Sequence, residues 1–436
     1  MLEFALALAV VFLALTAIRV LFVPLALGFE VRDRWRRRLG ETGLLAPGER
    51  GAAVLVSVVV PGYNEERVLG ACVRSIMASG YPHLEVLVVD DGSTDRTLEL
   101  ARELADRYPQ VRALAKPNGG KGSALNLGIA EAQGEVVLLV DADGVFDADT
   151  IPEMLRGFTD DRVAAVCGSD RPVNLDRIQT RFLSLISHVG TGLVRRALDV
   201  VGCMPVISGN VGAFRRSALL EVAVPGMGPL RTDTLGEDLE LTWRLHRVGH
   251  RIAFAPRAVV HAESPSTLGG LWKQRVRWAR GLLQSLRLHR DLIGNLRHGA
   301  FGAFLAYTIV AGIVMPLVQA VGTVGLGALW WFGWWEPPRD LIGVLLEVGL
   351  VLAVFLVVVA IALDRTPLDL RHAWTLPLWP LYSLMMSATL IRGMVHEATG
   401  SPQAWNKLER TGVISVAIPA DPADLRILAE PRGVRG

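Results

Sequence analysis

The chain alternates between long apolar runs and a central stretch of short apolar runs separated by helical patterns. Continuous apolar runs of strand length occur at 54–60 (VLVSVVV), 84–89 (LEVLVV) and 135–140 (EVVLLV). Amphipathic helical patterns follow the first two of these runs, at about 65–79 and 94–107. Apolar runs without alternation are typical of strands buried on both faces, so the centre predicts a parallel sheet covered by helices.

Longer apolar runs lie on both sides of this centre. Residues 2–27 are long enough to cross a bilayer at about 1.5 Å per residue, and they lack the basic start and cleavage site of a signal peptide. Arg19 lies inside this run, and we interpret it as a side chain that reaches the interface rather than a polar interior. The run is followed by RDRWRRR at 32–38. By the positive-inside rule, this end of the helix is cytoplasmic.

The second apolar region contains three runs, at 299–335, 341–363 and 374–393. The first is too long for one upright helix and is expected to be tilted, kinked at Pro316 or split. The last contains two prolines, so it either crosses the membrane or lies in the interface.

Composition supports a membrane protein and excludes other classes. Hydrophobic residues make up 51% of the 436 residues, and the mean hydropathy is +0.36. A net charge of +2 gives no argument for a nucleic-acid partner. Three cysteines without a CxxC pair argue against a disulfide framework or a zinc site, and fit a reduced cytosolic domain.

Acidic clusters follow two of the central strands. Asp90 and Asp91 follow one, and Asp141 and Asp143 follow the other. Each cluster taken alone is equally consistent with a polar turn. In a parallel sheet, however, ligands bind at the carboxyl ends of the strands, so two clusters at that edge favour a nucleotide site. Carboxylates one residue apart can also hold a hard cation that binds phosphate oxygens.

Three further groups carry candidate chemistry. Lys121 stands in a glycine loop that opens a helix and is suited to a phosphate, although a solvated lysine fits the pattern equally well. Glu237 and Asp238 open another helix, where acidic residues usually serve as dipole partners. His261 is a candidate metal ligand, but a structural histidine fits its position better.

Residues 268–290 form a helical pattern with two stripes. An apolar stripe of Trp272, Val276, Ala279, Leu283 and Leu286 is flanked by Lys273, Arg275, Arg280 and Arg287, as suits a membrane interface. A second stripe carries Gln274, Arg277, Trp278 and Gly281. An arginine suits a diphosphate and an indole suits a sugar ring, so we expect this stripe to face a ligand.

The motifs VSVVVPGYNEE, VVDDGSTD, NGGKGSALN, VDAD, GED and QRVRW together resemble membrane-integrated family 2 glycosyltransferases of the GT-A fold, the group that contains cellulose, chitin and hyaluronan synthases. The resemblance covers roughly residues 54–290. The 35 residues between Asp238 and Gln274 match the spacing of the processive subgroup. The segments SGNVGAFRRSAL, PSTLGGLWKQRVRWARG and AWNKLERTG are most similar to those of bacterial poly-β-1,6-N-acetylglucosamine synthases.

The resemblance implies a fold and a domain order. It implies an α/β GT-A domain, a nucleotide-diphospho-sugar transferase domain, inserted between transmembrane α-helices. The expected segments are an N-terminal transmembrane helix at 1–28, a basic cytoplasmic linker at 29–49, the catalytic domain at 50–265, an interface helix at 266–297, transmembrane or interface helices at 298–393 and a tail at 394–436.

The resemblance also implies roles for the residues of each motif. Glu237 and Asp238 lie at the catalytic site, with Asp238 as the general base, and Asp141 and Asp143 hold Mg²⁺ or Mn²⁺. Gln274, Arg277 and Trp278 cover the diphosphate and the acceptor. The UDP-sugar is expected to contact Pro61, Tyr63, Asn64, Glu65, Asp90, Asp91, Lys121, Asp141, Asp143 and Arg277.

The function implied is inverting transfer of a sugar, N-acetylglucosamine in the finer match, from a UDP-sugar to a growing β-linked polysaccharide coupled to its translocation. The expected partners are the donor, a glycan or lipid acceptor, the bilayer and a small membrane subunit, with no nucleic acid. The expected location is the plasma membrane, multi-pass, with a cytoplasmic catalytic domain. Two alternatives stay open: single-sugar transfer to a membrane lipid, and a catalytically silent subunit that conducts a polymer.

Overall fold

A computed structural model describes the backbone of residues 2–40, 43, 54–336 and 339–402. Side chains are described over the same ranges, except for residues 2–16, 339–342, 345 and 346. The described chain divides into two compact units. The first, which we call the helical unit, comprises Met1–Arg32, Asp176–Cys203 and Ser266–Pro402, and the second, which we call the sheet unit, comprises Asp33–Leu175 and Met204–Pro265.

The sheet unit is built on eight strands in one sheet within the described residues, and its core consists of apolar side chains from these strands and the helices packed on them. Along the sheet the strand order is β3-β2-β1-β4-β7-β6-β8-β5. The strands are β1 (Val56–Gly62), β2 (Leu84–Asp90), β3 (Val111–Ala115), β4 (Val136–Leu139), β5 (Val145–Phe146), β6 (Val163–Pro172), β7 (Gly212–Arg215) and β8 (Arg251–Ala262).

Strands β3, β2, β1 and β4 run parallel to one another, as the sequence predicts. Strand β7 runs antiparallel to both β4 and β6, and β5 runs antiparallel to β8. The sheet is therefore mixed: the prediction of a parallel sheet is confirmed for the strands up to residue 140 on which it was based, and the later strands add both antiparallel pairs and the parallel pair of β6 with β8. Before β7 the chain leaves the sheet unit at Asp176 and returns at Met204, so β7 does not follow the strand–helix–strand repeat that keeps consecutive strands parallel.

Six helices complete the sheet unit. Helix α4 (Lys121–Glu131) packs closely on β1. A Cβ placed on Gly128 of this helix would lie 2.2 Å from Val59 Cγ1, so only glycine fits at this position. Val56, Val58, Val59 and Val60 of β1 are all fully buried, as expected for a strand covered on both faces. The helices are α2 (Leu69–Ala78), α3 (Thr97–Arg107), α4 (Lys121–Glu131), α5 (Thr150–Arg156), α8 (Arg216–Glu221) and α9 (Glu237–Arg247).

The helical unit contains most of α1 (Leu2–Arg38) together with α6, α7 and α10 to α14. Residues 176–203, expected inside the 50–265 domain, belong to this unit instead. The helices are α6 (Ile178–Ser187), α7 (Val194–Val200), α10 (Leu268–Leu288), α11 (Ala300–Ile309), α12 (Met315–Trp331), α13 (Arg339–Asp364) and α14 (Trp379–Ala398), with π-helical turns at His188–Leu193 and Val310–Val314 and a long 3-10 segment at Pro367–Leu378.

Helix α1 differs from its prediction. The basic cluster at 32–38 continues the helix to Arg38, whereas a linker is expected from residue 29. Arginine favours helices, and no proline or glycine interrupts residues 29–38. Arg37 bonds both Asp33, one turn earlier, and Glu153, so the last turn is also held by ion pairs within the sheet unit. Most of the expected span at 2–27 and most of the linker beyond residue 40 lie outside the described side chains.

Two helices of the described chain are long and apolar enough to cross a membrane, Ala300–Trp331 and Glu347–Asp364. The first is continuous through the π-helical turn at Val310–Val314, which ends two residues before Pro316. A proline lacks the N–H that an α-helix needs, and a wider turn at this point accommodates it without a break. The third run, at 374–393, forms the end of the 3-10 segment and most of α14, whose second residue is Pro380.

A network of buried charges ties the helical unit together. Arg196 donates to Glu30 at 2.8 Å and to Asp364 at 2.7 Å, and all three side chains are nearly inaccessible to solvent. His188 bridges Asp364 at 2.6 Å and Asp369 at 3.1 Å. Removing one partner of such a network leaves a buried charge unpaired, which is strongly destabilising.

Candidate active site

The loops that follow β1 and β2 are bonded to each other. Asn64 has a positive φ of 55°, a conformation that asparagine tolerates better than most residues. Its side-chain oxygen accepts a hydrogen bond from Thr94 N at 2.8 Å, and its own N–H donates to Ser93 Oγ at 2.9 Å. Glu65 N donates to Thr97 Oγ1 at 2.7 Å. This pairing fixes the predicted donor-binding segment that contains Pro61 and Tyr63, whose ring is 38% exposed.

The two aspartates at the end of β2 have different surroundings. Asp91 is fully engaged with the glycine loop: Oδ1 accepts from Lys116 Nζ at 2.6 Å and Gly119 N at 3.0 Å, and Oδ2 accepts from Gly120 N at 2.7 Å. Asp90 Oδ2 accepts from Ser93 N at 3.2 Å. Asp90 Oδ1 is buried and has no hydrogen-bond donor among the described residues. A buried acceptor without a donor is costly, so Asp90 suits a ligand that carries an N–H.

A glycine couples these aspartates to the next loop. Gly92 has a φ of +75°, and a Cβ placed on it would lie 2.8 Å from Asn118 N. No larger residue fits this turn without moving the backbone of the loop. The DDGS and NGGK motifs are therefore parts of one surface.

The centre of the site is a lysine among carboxylates. Lys121 begins α4, and its Nζ lies 2.5 Å from Asp141 Oδ1 and 3.8 Å from Glu237 Oε1. Burial lowers the pKa of Lys121, but Asp141 and Glu237, with Asp238 after them, raise it above its ordinary value. The ammonium therefore stays charged and holds the ends of β4 and α9 together.

Asp238 lies in the first turn of α9 and is partly exposed. Its Oδ1 accepts from Leu239 N at 2.8 Å, while Glu237 beside it is buried. The helix-start interpretation is thus correct for the position of both residues. A role at the helix start alone does not explain why Glu237 and Asp238, together with Asp141, interact with the buried ammonium of Lys121.

The structure adds a loop that the sequence reasoning did not select as part of the site. Asn210 Oδ1 accepts from Asp141 N at 3.3 Å, and Gly209 lies against both Lys121 and Asp238, since its Cβ would be 3.1 Å from Lys121 Nζ and 3.5 Å from Asp238 Oδ2. A side chain at residue 209 would press on the ammonium of Lys121 and lie in contact with Asp238. The signal in the sequence was the glycine of SGN, which stands just before an apolar strand.

Asp143 is buried, and one of its oxygens accepts from Glu263 N at 3.4 Å. Burial raises the pKa of the nearby Cys72 thiol well above its ordinary value, and Asp143 and Asp141 raise it further. Asp141 and Asp143 are one residue apart at this strand end, so both carboxylates lie in the same small region.

The side chains at this strand end supply part of a binding site for a metal ion. Across the described ranges, no group of three or more His, Cys, Asp or Glu side chains is arranged as a metal site. Asp141 and Asp143 supply two carboxylates, and Lys121 already balances part of their charge. This set fits a cation such as Mg²⁺, which takes most of its ligands from water and substrate phosphates. His261 is not part of it, because its Nε2 lies 2.9 Å from Asp147 Oδ1, consistent with a structural histidine.

The last three predicted residues lie on α10 in the helical unit. The predicted helix is confirmed, and Thr267 caps it by accepting from Gly270 N at 3.0 Å. Gln274 and Arg277 are partly exposed, and Trp278 is 49% exposed.

The interpretation of α10 as a simple two-striped helix needs correction. Arg275 and Arg280, expected as cations at the membrane interface, are buried. Arg280 donates to Glu397 at 2.6 Å and to the carbonyls of Ser401 and Pro402, so it fastens α10 to the end of α14. Helix α14 packs closely against α10, since a Cβ placed on Gly393 would lie 3.1 Å from Ala279 Cβ. The sequence did not reveal this buried face of α10, because arginine is rarely buried unless it has a partner.

Comparisons with known proteins identify relatives of this chain. The model of the family described as "Glycosyltransferase like family 2" matches residues 52–281. The poly-beta-1,6-N-acetyl-D-glucosamine synthase of Staphylococcus aureus (strain COL) is 35% identical over 256 residues, covering 57% of this chain and 59% of the relative. The enzyme of the same name from Staphylococcus epidermidis is 35% identical over 244 residues, covering 55% and 57%. The match thus spans about three-fifths of the length of these curated relatives.

A solved structure shares the fold. The mannosyltransferase PcManGT from Pyrobaculum calidifontis, in complex with GDP-Man and Mn²⁺, has a TM-score of 0.58 and 23% sequence identity, and the match covers 89% of this chain and 100% of that one. At this identity the likeness supports the fold alone, which is the GT-A fold expected from the sequence.

Proposed function

The chain belongs to the glycosyltransferase-like family 2, and we propose that it is an inverting membrane enzyme that transfers N-acetylglucosamine from a UDP-sugar to a growing β-linked glycan. The observation that carries the proposal is the cluster in which Lys121 meets Asp141 at 2.5 Å and Glu237 at 3.8 Å, with Asp238 beside them. The choice of sugar rests on the two staphylococcal relatives and their printed names.

The nucleotide is assigned to the paired loops after β1 and β2. Asp90 has a buried oxygen that awaits a donor, as the N–H of a uracil would provide. Asp91 acts through the glycine loop, whose two backbone N–H groups it holds. Tyr63, Asn64 and Glu65 belong to the loop after β1 and are assigned to the same nucleotide site.

The diphosphate is assigned to Lys121 and Arg277. A phosphate leaving group develops negative charge, and an ammonium and a guanidinium both stabilise that charge. Asp141 and Asp143 would hold a Mg²⁺ or Mn²⁺ ion, which supplies further positive charge to the diphosphate. Release of Asp141 from Lys121 frees the ammonium to bind a phosphate oxygen.

Asp238 is assigned as the general base. The acceptor hydroxyl must lose its proton as it attacks the anomeric carbon, and a carboxylate within hydrogen-bond reach takes it, contributing about 10²–10⁴-fold. One displacement without a covalent intermediate inverts the anomeric centre, so an α-linked donor gives a β-linked product. Gln274 and Trp278 are assigned to the acceptor, with the indole stacked on a sugar ring.

The helical unit is assigned to the plasma membrane. The two apolar helices are long enough to cross it. The arginines at 32–38 favour a sheet unit on the cytoplasmic side, and the cytoplasm is where UDP-sugars are made. We propose that the growing polymer is moved across the membrane by this unit, with a small membrane subunit as a partner. Labelling of Ser93→Cys from each side of the membrane tests the orientation, which labelling from outside would overturn.

The experiment that tests the proposed function uses purified protein in detergent with a panel of UDP-sugars. UDP release is expected with UDP-N-acetylglucosamine above all other donors, and it is expected to be lost in Asp143→Asn. The expected product is a β-linked polymer. Addition of a single sugar to a lipid would support the first alternative, and absence of UDP release with every donor would support a silent subunit.

A further inference from the structure

Trp278 has a partner that the proposed function does not use. The guanidinium of Arg275, one turn earlier on α10, lies 4.1 Å from the centroid of the indole ring. Arg275 is only 9% exposed, although Trp278 itself is 49% exposed. A buried arginine is rare unless something compensates for the loss of water, so its position needs a cause.

The compensation comes from aromatic rings. Tyr382 of α14 also lies beside Arg275, with the guanidinium 5.9 Å from its ring centroid. Tyr382 packs edge-on against Phe182 at 5.3 Å, and Phe182 packs against Trp379 at 6.2 Å. Arg275 Nε is buried without a hydrogen-bond partner in the described part of the chain. The guanidinium is therefore held between the ring of Trp278 and Tyr382, whose side chain also hydrogen-bonds it.

This arrangement makes the two faces of the indole unequal. One face is covered by the guanidinium, and the exposed fraction of Trp278 leaves the rest available. An indole on an exposed helix position has several rotamers of similar energy, and a cation held against one face selects among them. A single rotamer presents a flat surface in a fixed direction, as stacking on a sugar ring requires.

We propose that Arg275 is a positioning residue that fixes the indole of Trp278 as the stacking surface for the terminal sugar of the acceptor glycan. The proposal rests on the proposed function, because it assigns Trp278 to the acceptor. Arg275 acts through Trp278 and touches neither the donor nor the reacting atoms. A lysine would keep the charge but lose the planar contact with the ring.

The experiment measures UDP release from UDP-N-acetylglucosamine against the concentration of a short β-1,6-linked N-acetylglucosamine oligosaccharide. The variants are Arg275→Met, Arg275→Lys, Trp278→Ala and the double variant Arg275→Met with Trp278→Ala. Arg287→Met is the control, because Arg287 is an exposed cation on the same helix. Arg275→Met is expected to raise the half-saturating acceptor concentration about tenfold, equivalent to about 1.4 kcal/mol, with the half-saturating donor concentration unchanged.

The double variant gives the decisive comparison. If Arg275 acts only through Trp278, the double variant has the same acceptor dependence as Trp278→Ala alone. Arg275→Lys is expected to recover only part of the loss. Effects that multiply in the double variant, or full recovery by lysine, would overturn the proposal.

Other outcomes separate this proposal from the proposed function. If Trp278→Ala leaves the acceptor dependence unchanged, the acceptor role of Trp278 is wrong, and so is the acceptor site assigned under the proposed function. If Trp278→Ala weakens acceptor use but Arg275→Met does not, only the positioning role of Arg275 is wrong. Should Arg275→Met fail to fold, the same cycle with Arg275→Lys, which retains the charge, gives the same test.

Discussion

The ammonium of Lys121 lies 2.5 Å from a carboxylate oxygen of Asp141, at the point where the glycine loop meets the end of β4. This contact joins two motifs that are about twenty residues apart in the sequence. It places a fixed positive charge where the proposed donor diphosphate and cation would meet. A cation proposed to bind Asp141 would draw on the negative charge that Lys121 already balances, so the lysine and the cation would compete for one carboxylate.

Substitution of Lys121 tests this competition. In Lys121→Met, Asp141 loses its partner and should bind a divalent cation more tightly, so the half-saturating Mg²⁺ concentration should fall severalfold. The maximal rate should fall by about 10²-fold, because the diphosphate loses a charged donor. Titration of UDP release with Mg²⁺ measures both. Lys116→Met is the matched control: Lys116 holds Asp91, so its loss should weaken donor binding and, at saturating donor, leave the Mg²⁺ curve in place.

Removal of divalent cations gives a second prediction. UDP release should be lost in EDTA and restored by Mg²⁺ or Mn²⁺, because Asp141 and Asp143 supply only part of a coordination shell and the donor supplies the rest. Full activity after exhaustive metal removal would contradict this assignment.

Asp238→Asn should abolish transfer while UDP still binds. The amide keeps the size of the side chain and can accept from Leu239 N, but it cannot take a proton from the acceptor. UDP binding by calorimetry and transfer by UDP release separate the two effects. Asp233→Asn, an exposed carboxylate paired with Arg231, is the control and should retain activity. Transfer above a few per cent in Asp238→Asn would mean that another group is the base.

A buried histidine predicts how stability depends on pH. His246 Nε2–H donates to Met204 O at 2.9 Å, and burial lowers the pKa of His246 from 6.5 to about 4. Between about pH 6.5 and pH 4 the unfolded chain therefore binds a proton that the folded chain does not. This contribution to stability is complete above pH 6.5 and is lost as the pH falls towards 4, by about 3 kcal/mol in all.

The variant His246→Gln keeps a donor for Met204 O and does not titrate. Its melting temperature in detergent should therefore change less than that of the wild type between pH 7 and pH 4.5. Parallel melting curves for the two proteins over this range would show that His246 does not control the acid sensitivity.

Two tryptophans on α10 test the second stripe of that helix. Trp278→Ala should remove most polymer formation, by roughly 10²-fold, because it weakens acceptor positioning. Trp272→Ala should leave the chemistry intact and weaken membrane retention, since Trp272 is assigned to the interface. UDP release and extraction from membranes are measured for both variants. Equal behaviour of the two would contradict the assignment of separate roles.

The sequence predicted the parts of the site that depend on local pattern. Continuous apolar strands that end in acidic residues placed Asp90 and Asp141 at one edge, because the parallel register sets Gly62 beside Asp90 and β4 beside β1. The helical period of residues 268–290 was also sufficient to predict α10.

Other features depend on contacts between distant residues and have no local signal. Strand β7 joins the sheet antiparallel after the chain has passed through the helical unit, and the sequence carries no local signal of this passage. The burial of Arg275 depends on Tyr382, more than a hundred residues later. Asn210 reaches the site through one bond to the backbone of Asp141, which neither composition nor spacing reveals.

We propose that this chain polymerises N-acetylglucosamine by inverting transfer, and time-resolved analysis of the product separates this activity from the alternatives. Purified protein is given limiting labelled UDP-N-acetylglucosamine, and product size, linkage and anomeric configuration are followed with time. We predict β-linked chains that become long while most of the donor is still unused, with one UDP released for each sugar added. Products that stop at one sugar on a lipid, or α-linked products, would contradict it.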